Sequence, residues 1–185
     1  MSSLTPAVFD VTRFMEIGQP EQVLKEPRIQ PLGSETRHKI DWAMNKCSAG
    51  AADLRRQGGN IEALRARLIL EETSEFLDAL QKGDKVEATD ALVDLLYVTI
   101  GAGIALGLPL AEAWEKVQAA NLAKYPRCEH CFPPGSGLGQ PVVGDGGMGK
   151  CPICAGKGRI VLRDAGGKVI KPEGWQAPDI ASLFP

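Results

Sequence analysis

Acidic residues are the first candidates for chemistry in this chain, because one of them stands inside a strongly apolar stretch. Asp94 is the only charged residue between residues 91 and 111. The stretch predicts a helix that is apolar on most of its sides and therefore largely buried. A buried carboxylate has to be neutralised, paired or bound to a metal. Asp94 is thus the main indication of a functional site.

Two acidic sets surround this position at helical spacing, one on the same helix and one on the helix before it. The members are Glu71, Glu72 and Glu75, and then Glu87, Asp90 and Asp94. Spacings of three and four residues place each set on one side of its helix. Mg²⁺ and Mn²⁺ bind such oxygen ligands, and two ions can clamp a polyphosphate. The alternatives are that these runs are solvated helix faces and that Glu87 is only a capping residue.

Four of the five cysteines form two Cys-x-x-Cys pairs separated by 19 residues. The pairs are Cys128 with Cys131 and Cys151 with Cys154. This spacing predicts a structural Zn²⁺ bound by four thiolates, in a zinc-ribbon-like module. The odd number of cysteines and the lack of a secretory signal argue against a disulfide framework. A redox dithiol or a set of free surface cysteines is the alternative.

The elements that must position these residues are helical, and we expect an all-α fold. Capping residues and glycine stops predict four helices, at about residues 34–57, 61–82, 85–106 and 109–124, with Ser34, Asn60 and Asp84 as N-terminal caps. Their short connections favour an antiparallel four-helix bundle. The expected segments are an irregular N-terminal arm (1–33) with a short turn at residues 9–17, a helical core (34–126), a zinc-binding module with the four paired cysteines (127–163) and an extended tail (164–185).

Composition excludes several classes of protein. A chain of 185 residues with 44% hydrophobic residues can bury one ordinary core. A net charge of −2 argues against a dedicated nucleic-acid-binding protein. Asp94 interrupts the longest apolar run, so no membrane span is expected, and the N-terminus does not read as a signal peptide. A cytoplasmic protein is therefore expected.

Several segments together resemble the MazG-type all-α nucleoside triphosphate pyrophosphohydrolases. The segments are EETSE, EATDALVDLLYVTIG and NLAKYP, with FMEIGQP before the helices and GGKVIKPEGWQAPDI after the cysteines. The similarity is greatest to the small phage MazG-like proteins and the phosphoribosyl-ATP pyrophosphohydrolase-like group. It covers about residues 10–126 and then resumes in the tail. It implies a helical bundle, assembled as a homodimer or homotetramer, that hydrolyses (d)NTP to (d)NMP and pyrophosphate.

The resemblance also assigns roles to residues of the two acidic sets. It implies that Mg²⁺ or Mn²⁺ is bound by Glu71, Glu72, Glu75, Asp90 and Asp94. Many MazG proteins carry the acid of the second motif three residues before the aspartate, where this chain has Ala91. Asp90, four residues before Asp94, takes that role here. Either Glu71 or Glu72 is expected to deprotonate the attacking water.

Substrate binding is expected after the fourth helix and in the N-terminal arm that precedes the first. Asn121 and Lys124 match an Asn-x-x-Lys motif that lies near the substrate phosphates or sugar in the family, and Lys124 could offset charge on the leaving pyrophosphate. The alternative is an ordinary lysine at a helix C-terminus. Gln19 could read a purine edge, or it could belong to a plain structural turn.

Two alternatives to an ordinary (d)NTP hydrolase remain open. One is a non-catalytic zinc-bearing adaptor or nucleic-acid-binding protein, in which the cysteine module could contact nucleic acid through Lys150, Lys157 and Arg159. The other is a related hydrolase of modified nucleotides, since some phage relatives act on dGTP. Ordinary MazG-like enzymes lack the cysteine module, so the resemblance does not explain its role.

Overall fold

The computed structural model describes residues 5–24, 26–132 and 151–185. Over these residues the fold is all-α, as expected, with five α-helices and no strand. The helices are α1 (Thr5–Gly18), α2 (Ser34–Gln57), α3 (Ile61–Lys82), α4 (Lys85–Ala105) and α5 (Leu110–Ala123). The only described β-type pairings are two isolated bridges, Arg127 with Arg159 and Arg163 with Val169.

Local capping chemistry sets the bounds of α3 and α4. The Asn60 side chain accepts a hydrogen bond from the Ala63 amide at 3.0 Å, and Asp84 accepts from the first turn of α4. Gly83 ends α3 with a φ of 70°, a left-handed conformation that glycine adopts without strain. The prediction of Ser34 as a cap is wrong, because Gly33 occupies the N-cap position and Ser34 is already helical.

The predicted irregular arm is wrong over residues 5–18, which form the 14-residue helix α1. Its inward side packs against the segment that follows α5, with the rings of Phe14 and Tyr125 5.0 Å apart and Ile17 buried. The Trp114 indole donates a hydrogen bond to Asp10 of α1 at 3.0 Å. These contacts are distant in sequence, so a pass along the chain does not reveal what stabilises the helix.

The chain divides into two compact units. One unit contains Lys25–Leu110 and therefore α2, α3 and α4. The other combines Met1–Leu24 with Ala111–Pro185, which brings α1, α5, the paired cysteines and the tail together. The predicted fourth helix of the bundle exists as α5, but it belongs to the unit of α1. The four sequence segments proposed above stay a prediction.

In the first of these units, α2 packs on α3 and α3 packs on α4. The start of α2 meets the end of α3 through a hydrogen bond from Gln81 to Asp41, 2.7 Å long. Near the middle of both helices the Ser48 and Ser74 hydroxyls are 2.9 Å apart. The two helices are therefore antiparallel, as their short connection predicts.

The expected burial of α4 is wrong for the single chain. Its buried residues are all small, namely Ala88, Ala91, Ala102 and Gly103. The remaining sides are exposed, with Tyr97 79% and Ile104 73% accessible, and Asp94 is exposed as well. By length and composition α4 is also the one described helix that could cross a membrane, a test that a core helix of a soluble protein passes too.

Candidate active site and metal centre

The acidic residues predicted as metal ligands act electrostatically on one residue, Glu72. Burial raises the pKa of Glu72 above its ordinary value of 4.5, and neighbouring negative charges raise it further. In order of decreasing effect these charges belong to Glu75, Asp94, Glu71 and Asp90. The contact of α3 with α4 therefore brings the other four carboxylates near enough to Glu72 for their charges to act on it.

Glu72 also carries a buried oxygen without a partner. Its Oε2 atom is inaccessible to solvent and accepts no hydrogen bond within the described residues. The Nε atom of Arg65, two helical turns earlier on α3, is buried in the same unsatisfied way. Unsatisfied buried polar atoms are costly in a folded protein, and a bound cation can satisfy such a carboxylate. The donor set suits a hard divalent cation, because it consists of carboxylate oxygens.

Two arginines bind Glu71, the residue next to Glu72. Arg55 of α2 forms an ion pair with its carboxylate, and Arg67, one turn earlier on α3, donates to both carboxylate oxygens at 3.2 and 3.3 Å. Glu71 thus has its charge balanced by two arginines, whereas among the described residues Glu72 forms no ion pair. The two residues proposed as alternative bases therefore differ in their surroundings.

Two clefts flank Glu75. A cleft of about 380 Å³ between α2 and α3 is lined by Ser48, Ala51, Ala52, Arg55, Arg56, Glu71, Ser74 and Glu75. A cleft of about 250 Å³ between α3 and α4 is lined by Glu75, Asp78, Ala79, Lys82, Asp84, Glu87, Asp90 and Ala91. The predicted ligands Glu71, Glu75 and Asp90 therefore lie on accessible walls. Their assignment as metal ligands stays a prediction.

The paired cysteines form a far tighter group than the carboxylates. In the described part of the chain, they are the one set of three or more potential ligands whose atoms all lie within 4.8 Å of one another. The sulfur atoms of Cys128 and Cys151 are 3.8 Å apart, and those of Cys131 and Cys154 are 3.5 Å apart. A tetrahedron with metal–sulfur bonds of about 2.3 Å has edges of about 3.8 Å. The four buried thiols are thus positioned to bind one metal ion.

Backbone N–H groups point toward the sulfurs of Cys151 and Cys154, as in a metal-binding cysteine site. The Gly158 amide donates to the Cys154 sulfur at 3.3 Å, which the left-handed φ of 69° at Gly158 permits. Backbone N–H groups, first of all that of Cys154, lower the pKa of Cys151 to about 6, whereas burial raises the pKa of Cys131. The Nδ1 atom of the exposed His130 lies 3.5 Å from the Cys151 sulfur, outside the four-sulfur group.

The predicted substrate-binding residues lie in the unit formed by α1, α5 and the tail. The Lys124 ammonium donates to the Asn121 side chain at 2.8 Å. It also lies 5.8 Å from the centre of the Phe14 ring and 5.9 Å from that of Trp175. Gln19 follows the end of α1, and its backbone N–H donates to the Met15 carbonyl at 2.6 Å. The acidic set belongs to the other unit, Lys25–Leu110.

The cations considered for nucleic-acid contact have partners inside their own unit. Lys157 donates to the Ile17 carbonyl at 3.2 Å, and Arg159 donates to the carbonyls of Leu122 and Tyr125 at 2.9 and 2.6 Å. Lys150 lies outside the described residues. Arg163, not considered from sequence, binds the Gly18 carbonyl.

Sequence reasoning missed four side chains next to the predicted site. Arg67 could have been found, since it lies four residues before Glu71 on one helix face. Arg55 could not, because it reaches Glu71 from another helix. Phe14 and Trp175 are brought to Lys124 from opposite ends of the chain. No local spacing signals these tertiary neighbours.

Comparison with known families finds a match in the helical part of the chain. Residues 50–121 match the family described as phosphoribosyl-ATP pyrophosphohydrolase. This stretch is therefore a domain of the MazG-like all-α pyrophosphohydrolase superfamily, which indicates nucleotide pyrophosphohydrolase activity in general. It contains the five acidic residues and Asn121, but not Lys124 or the paired cysteines. No curated protein and no solved structure matches the chain.

Proposed function

We propose that residues 50–121, a phosphoribosyl-ATP pyrophosphohydrolase domain, make this chain a metal-dependent (d)NTP pyrophosphohydrolase. The products would be the nucleoside monophosphate and pyrophosphate, with a purine triphosphate such as dGTP as the candidate substrate. The observation that carries the proposal is the surroundings of Glu72, where burial and then four neighbouring carboxylates raise the pKa of a side chain whose Oε2 atom has no donor among the described residues.

Glu71, Glu72, Glu75, Asp90 and Asp94 would hold Mg²⁺ or Mn²⁺. When bound, such ions neutralise the triphosphate and polarise the phosphorus that is attacked. The gathered carboxylates explain why a cation is needed, because like charges brought together repel one another until a cation balances them. The ion pairs with Arg55 and Arg67 offset the negative charge of Glu71. Glu72 is then the carboxylate on which the other charges of the set act.

Glu72 is the better candidate for the general base. A base must accept a proton from the attacking water, and a raised pKa makes a carboxylate a stronger proton acceptor. Glu71, by contrast, accepts hydrogen bonds from Arg55 and Arg67, so guanidinium donors already occupy its carboxylate oxygens. Glu72 would take the proton on its carboxylate, and the pyrophosphate would leave as the α-phosphorus accepts the water oxygen.

Substrate binding is assigned to Gln19, Asn121 and Lys124. Lys124 carries the positive charge that suits a phosphate, and the neighbouring rings of Phe14 and Trp175 restrict its position. Asn121 orients the ammonium through its side-chain oxygen and keeps its amide donors available. Gln19 is the candidate for contact with the base.

The exposed apolar side of α4 supports assembly as a homodimer or homotetramer. Large apolar residues are accessible along this helix, namely Val86, Leu92, Val93, Leu96, Tyr97, Ile100 and Ile104. Continuous apolar patches of this kind mark protein–protein contacts. A second copy would bury this side, and would also place Asp94 in the apolar surroundings that the sequence predicts. Tyr97→Glu should lower the oligomer mass measured by light scattering, whereas Glu62→Gln should not.

The four cysteines would hold Zn²⁺ in a structural role, because an all-thiolate tetrahedral site favours zinc and leaves no position open for substrate. The protein would act on the nucleotide pool of the cytoplasm, in a host cell if it is encoded by a phage. Contact with nucleic acid or a membrane is not part of the proposal.

A non-catalytic zinc-bearing adaptor or nucleic-acid-binding protein is the second candidate. The described cysteine centre and the exposed apolar side of α4 are compatible with it. The acidic set is not compatible with an adaptor, because a non-catalytic protein gains nothing from five mutually repelling carboxylates. If the protein is an adaptor, it should still bind its partner after Asp94 is substituted.

Release of pyrophosphate from the eight common (d)NTPs, with Mg²⁺ or Mn²⁺, tests the proposal. Wild type should release it in a metal-dependent way and name the preferred base. Asp94→Asn should lower the rate by at least about a hundredfold, as expected for a residue that stabilises the transition state through a metal. Glu62→Gln, an exposed acid on α3, should retain wild-type activity. No release from any of the eight by folded, zinc-loaded protein would exclude an ordinary (d)NTP hydrolase and leave modified nucleotides to be tested next.

A further inference from the structure

Three cations in and after the cysteine module bind backbone carbonyls at the ends of two helices. At the end of α1, Lys157 donates to the Ile17 carbonyl at 3.2 Å and Arg163 donates to that of Gly18. At the end of α5, Arg159 donates to the Leu122 carbonyl at 2.9 Å and to the carbonyl of Tyr125, two residues past the helix, at 2.6 Å.

These contacts have a clear physical role. The last carbonyls of a helix have no partner within the helix, and the negative end of the helix dipole favours positive charge. Lys157, Arg159 and Arg163 therefore cap α1 and α5 from outside, in place of the capping that a following glycine or a basic residue in the last turn would supply. Neither helix has a basic residue in its last turn.

The cysteine centre determines where two of these cations stand. Lys157 and Arg159 follow Cys154 within five residues, and the Lys157 amide donates to the Cys154 carbonyl at 3.0 Å. The Gly158 amide between them donates to the Cys154 sulfur. On the other side, the Cys128 amide donates to the Gly158 carbonyl at 3.0 Å and the Ile160 amide to that of Pro126 at 2.9 Å. Both Cys-x-x-Cys pairs thus hold the segment of chain that carries Lys157 and Arg159.

The capped helix ends carry the residues to which substrate binding is assigned. Gln19 follows the Gly18 carbonyl directly. Asn121 and Lys124 lie on either side of the Leu122 carbonyl that Arg159 binds. The two ends also touch each other, since Phe14 packs on Tyr125 and the Gly18 backbone lies against the Tyr125 hydroxyl.

We infer that the cysteine module is a clamp for the substrate-binding residues, with Lys157, Arg159 and Arg163 as positioning residues. The clamp joins the ends of α1 and α5 and so holds Gln19, Asn121 and Lys124 at fixed separations. The substrate part of this inference rests on the proposed function, whereas the clamp itself is a property of the unit formed by α1, α5 and the module.

The position of Arg159 is electrostatically unfavourable for its positive charge. Burial lowers the pKa of Arg159, and the nearby charges of Arg13 and Arg127 lower it further. A half-buried guanidinium among cations is unfavourable unless strong acceptors hold it. The two carbonyls at the end of α5 are those acceptors.

Hydrogen exchange of backbone amides tests the clamp without any catalytic readout. The full chain loaded with zinc is compared with the same protein after chelation and gel filtration. The reporters are the amides of Gln19, Lys124 and Tyr125, which donate to Met15, Asn121 and Leu122 at 2.6, 3.2 and 3.1 Å. Removal of the metal should speed their exchange by about tenfold or more and leave α3 unchanged. Faster exchange confined to residues 127–132 and 151–160, or equal acceleration in α3, would overturn the clamp.

Substitutions of Arg159 separate the clamp from the metal. Arg159→Met should keep the zinc content of wild type, because no ligand is changed, yet speed exchange at Lys124 and Tyr125. On a hydrolysed (d)NTP it should raise KM by about tenfold and change kcat much less, since a donor to two carbonyls is lost away from the reacting atoms. Arg159→Lys should restore part of the loss. Lys168→Met, a surface cation of the same unit, is the matched control and should match wild type.

The two readouts fail separately. If wild type hydrolyses no triphosphate, the proposed function fails while exchange still decides the clamp. Unchanged exchange in Arg159→Met with bound zinc would overturn the clamp even if the enzyme is active. A KM equal to that of Lys168→Met would overturn its link to substrate binding.

Discussion

The indole Nε1 of Trp175 donates a hydrogen bond to the Ala120 carbonyl oxygen, 2.8 Å away. The tail is thereby attached to the last turns of α5. The same ring carries Lys171 on its face at 3.9 Å and lies 5.9 Å from the ammonium of Lys124. One side chain of the tail therefore orders a lysine of its own segment and one that follows α5.

Trp175 should accordingly contribute to stability through both its hydrogen bond and its ring. Trp175→Phe removes the donor but keeps a six-membered aromatic ring, and it should lower the free energy of unfolding by about 1 kcal/mol. Trp175→Ala also removes the packing and should cost about 3 kcal/mol, at the lower end for an aromatic residue because the ring is half-buried. Urea unfolding measures both. Trp42→Phe, an exposed tryptophan, should stay within about 0.5 kcal/mol of wild type, and an equal loss there would contradict the interpretation.

Gly18 is required for the contact between the end of α1 and Tyr125. A Cβ atom at Gly18 would overlap the Tyr125 hydroxyl oxygen and lie 2.5 Å from the ring carbon that bears it. Gly18→Ala should therefore lower the free energy of unfolding by about 1–3 kcal/mol through overpacking. Gly33→Ala is the control, because nothing lies within 4 Å of its added methyl group, and it should change stability by less than about 1 kcal/mol. Equal melting temperatures for the two variants would refute the close approach.

Glu72 should destabilise the protein in the absence of magnesium at neutral pH. Its pKa in the folded chain is raised above 4.5, so the folded state binds the proton more tightly than the unfolded state does. Stability is therefore lost as pH rises from about 4.5 through the folded pKa, and the loss is complete above it. Glu72→Gln should raise the melting temperature at pH 7.5 by about 2–4 °C per kcal/mol relieved.

The same Glu72→Gln substitution should make little difference near pH 4, below the ordinary pKa of 4.5, where the wild-type carboxyl is mostly protonated in both states. It should also abolish pyrophosphate release, so that stability and activity change in opposite directions. Thermal scans at the two pH values, with Glu62→Gln as the matched control, measure this. A melting temperature below that of wild type at pH 7.5 would show that charge repulsion at Glu72 is not the dominant effect.

Arg55 should weaken cation binding at the acidic site, because it places a positive charge on Glu71. Arg55→Met removes that charge and should lower the Kd for Mn²⁺ about fivefold, a modest effect since the side chain is exposed and screened by solvent. Calorimetric titration with Mn²⁺ measures the change. Lys39→Met removes a charge at the far end of the same helix, where Lys39 pairs with Glu35, and should leave the Kd unchanged. An increased Kd for Arg55→Met would place the bound ion elsewhere.

The sequence predicted most of the helices because their ends are determined locally. Asn60, Gly83 and Asp84 act within four residues of themselves, and the structure confirms each of them. The helix α1 could not be predicted in this way. Its stabilising contacts with Trp114 and Tyr125 come from about a hundred residues away. Local signals report local chemistry, and tertiary packing can override their absence.

The site shows the same division. Spacing predicted that the acidic stripes of α3 and α4 can face each other across the turn at Gly83. That the charges of Glu75, Asp94, Glu71 and Asp90 all act on Glu72 became apparent only from the packing of the two helices. The prediction that Asp94 is buried was wrong for the single chain, where Asp94 is exposed. Composition could not reveal this, because an apolar helix has the same composition whether it packs inside its own chain or against another copy. The ion pair of Arg55 with Glu71 depends on how α2 and α3 are aligned, which no spacing within one helix contains.

At the ends of α1 and α5, the acceptors for Lys157, Arg159 and Arg163 are main-chain oxygens, of Ile17, Gly18, Leu122 and Tyr125. Every amino acid supplies such an oxygen, so substitutions along the ends of α1 and α5 cannot delete the attachment points of the module. Side chains such as Gln19 and Asn121 are then free to diversify while the backbone that carries them stays anchored. A module attached in this way can accompany changes of nucleotide preference through evolution without having to change with them.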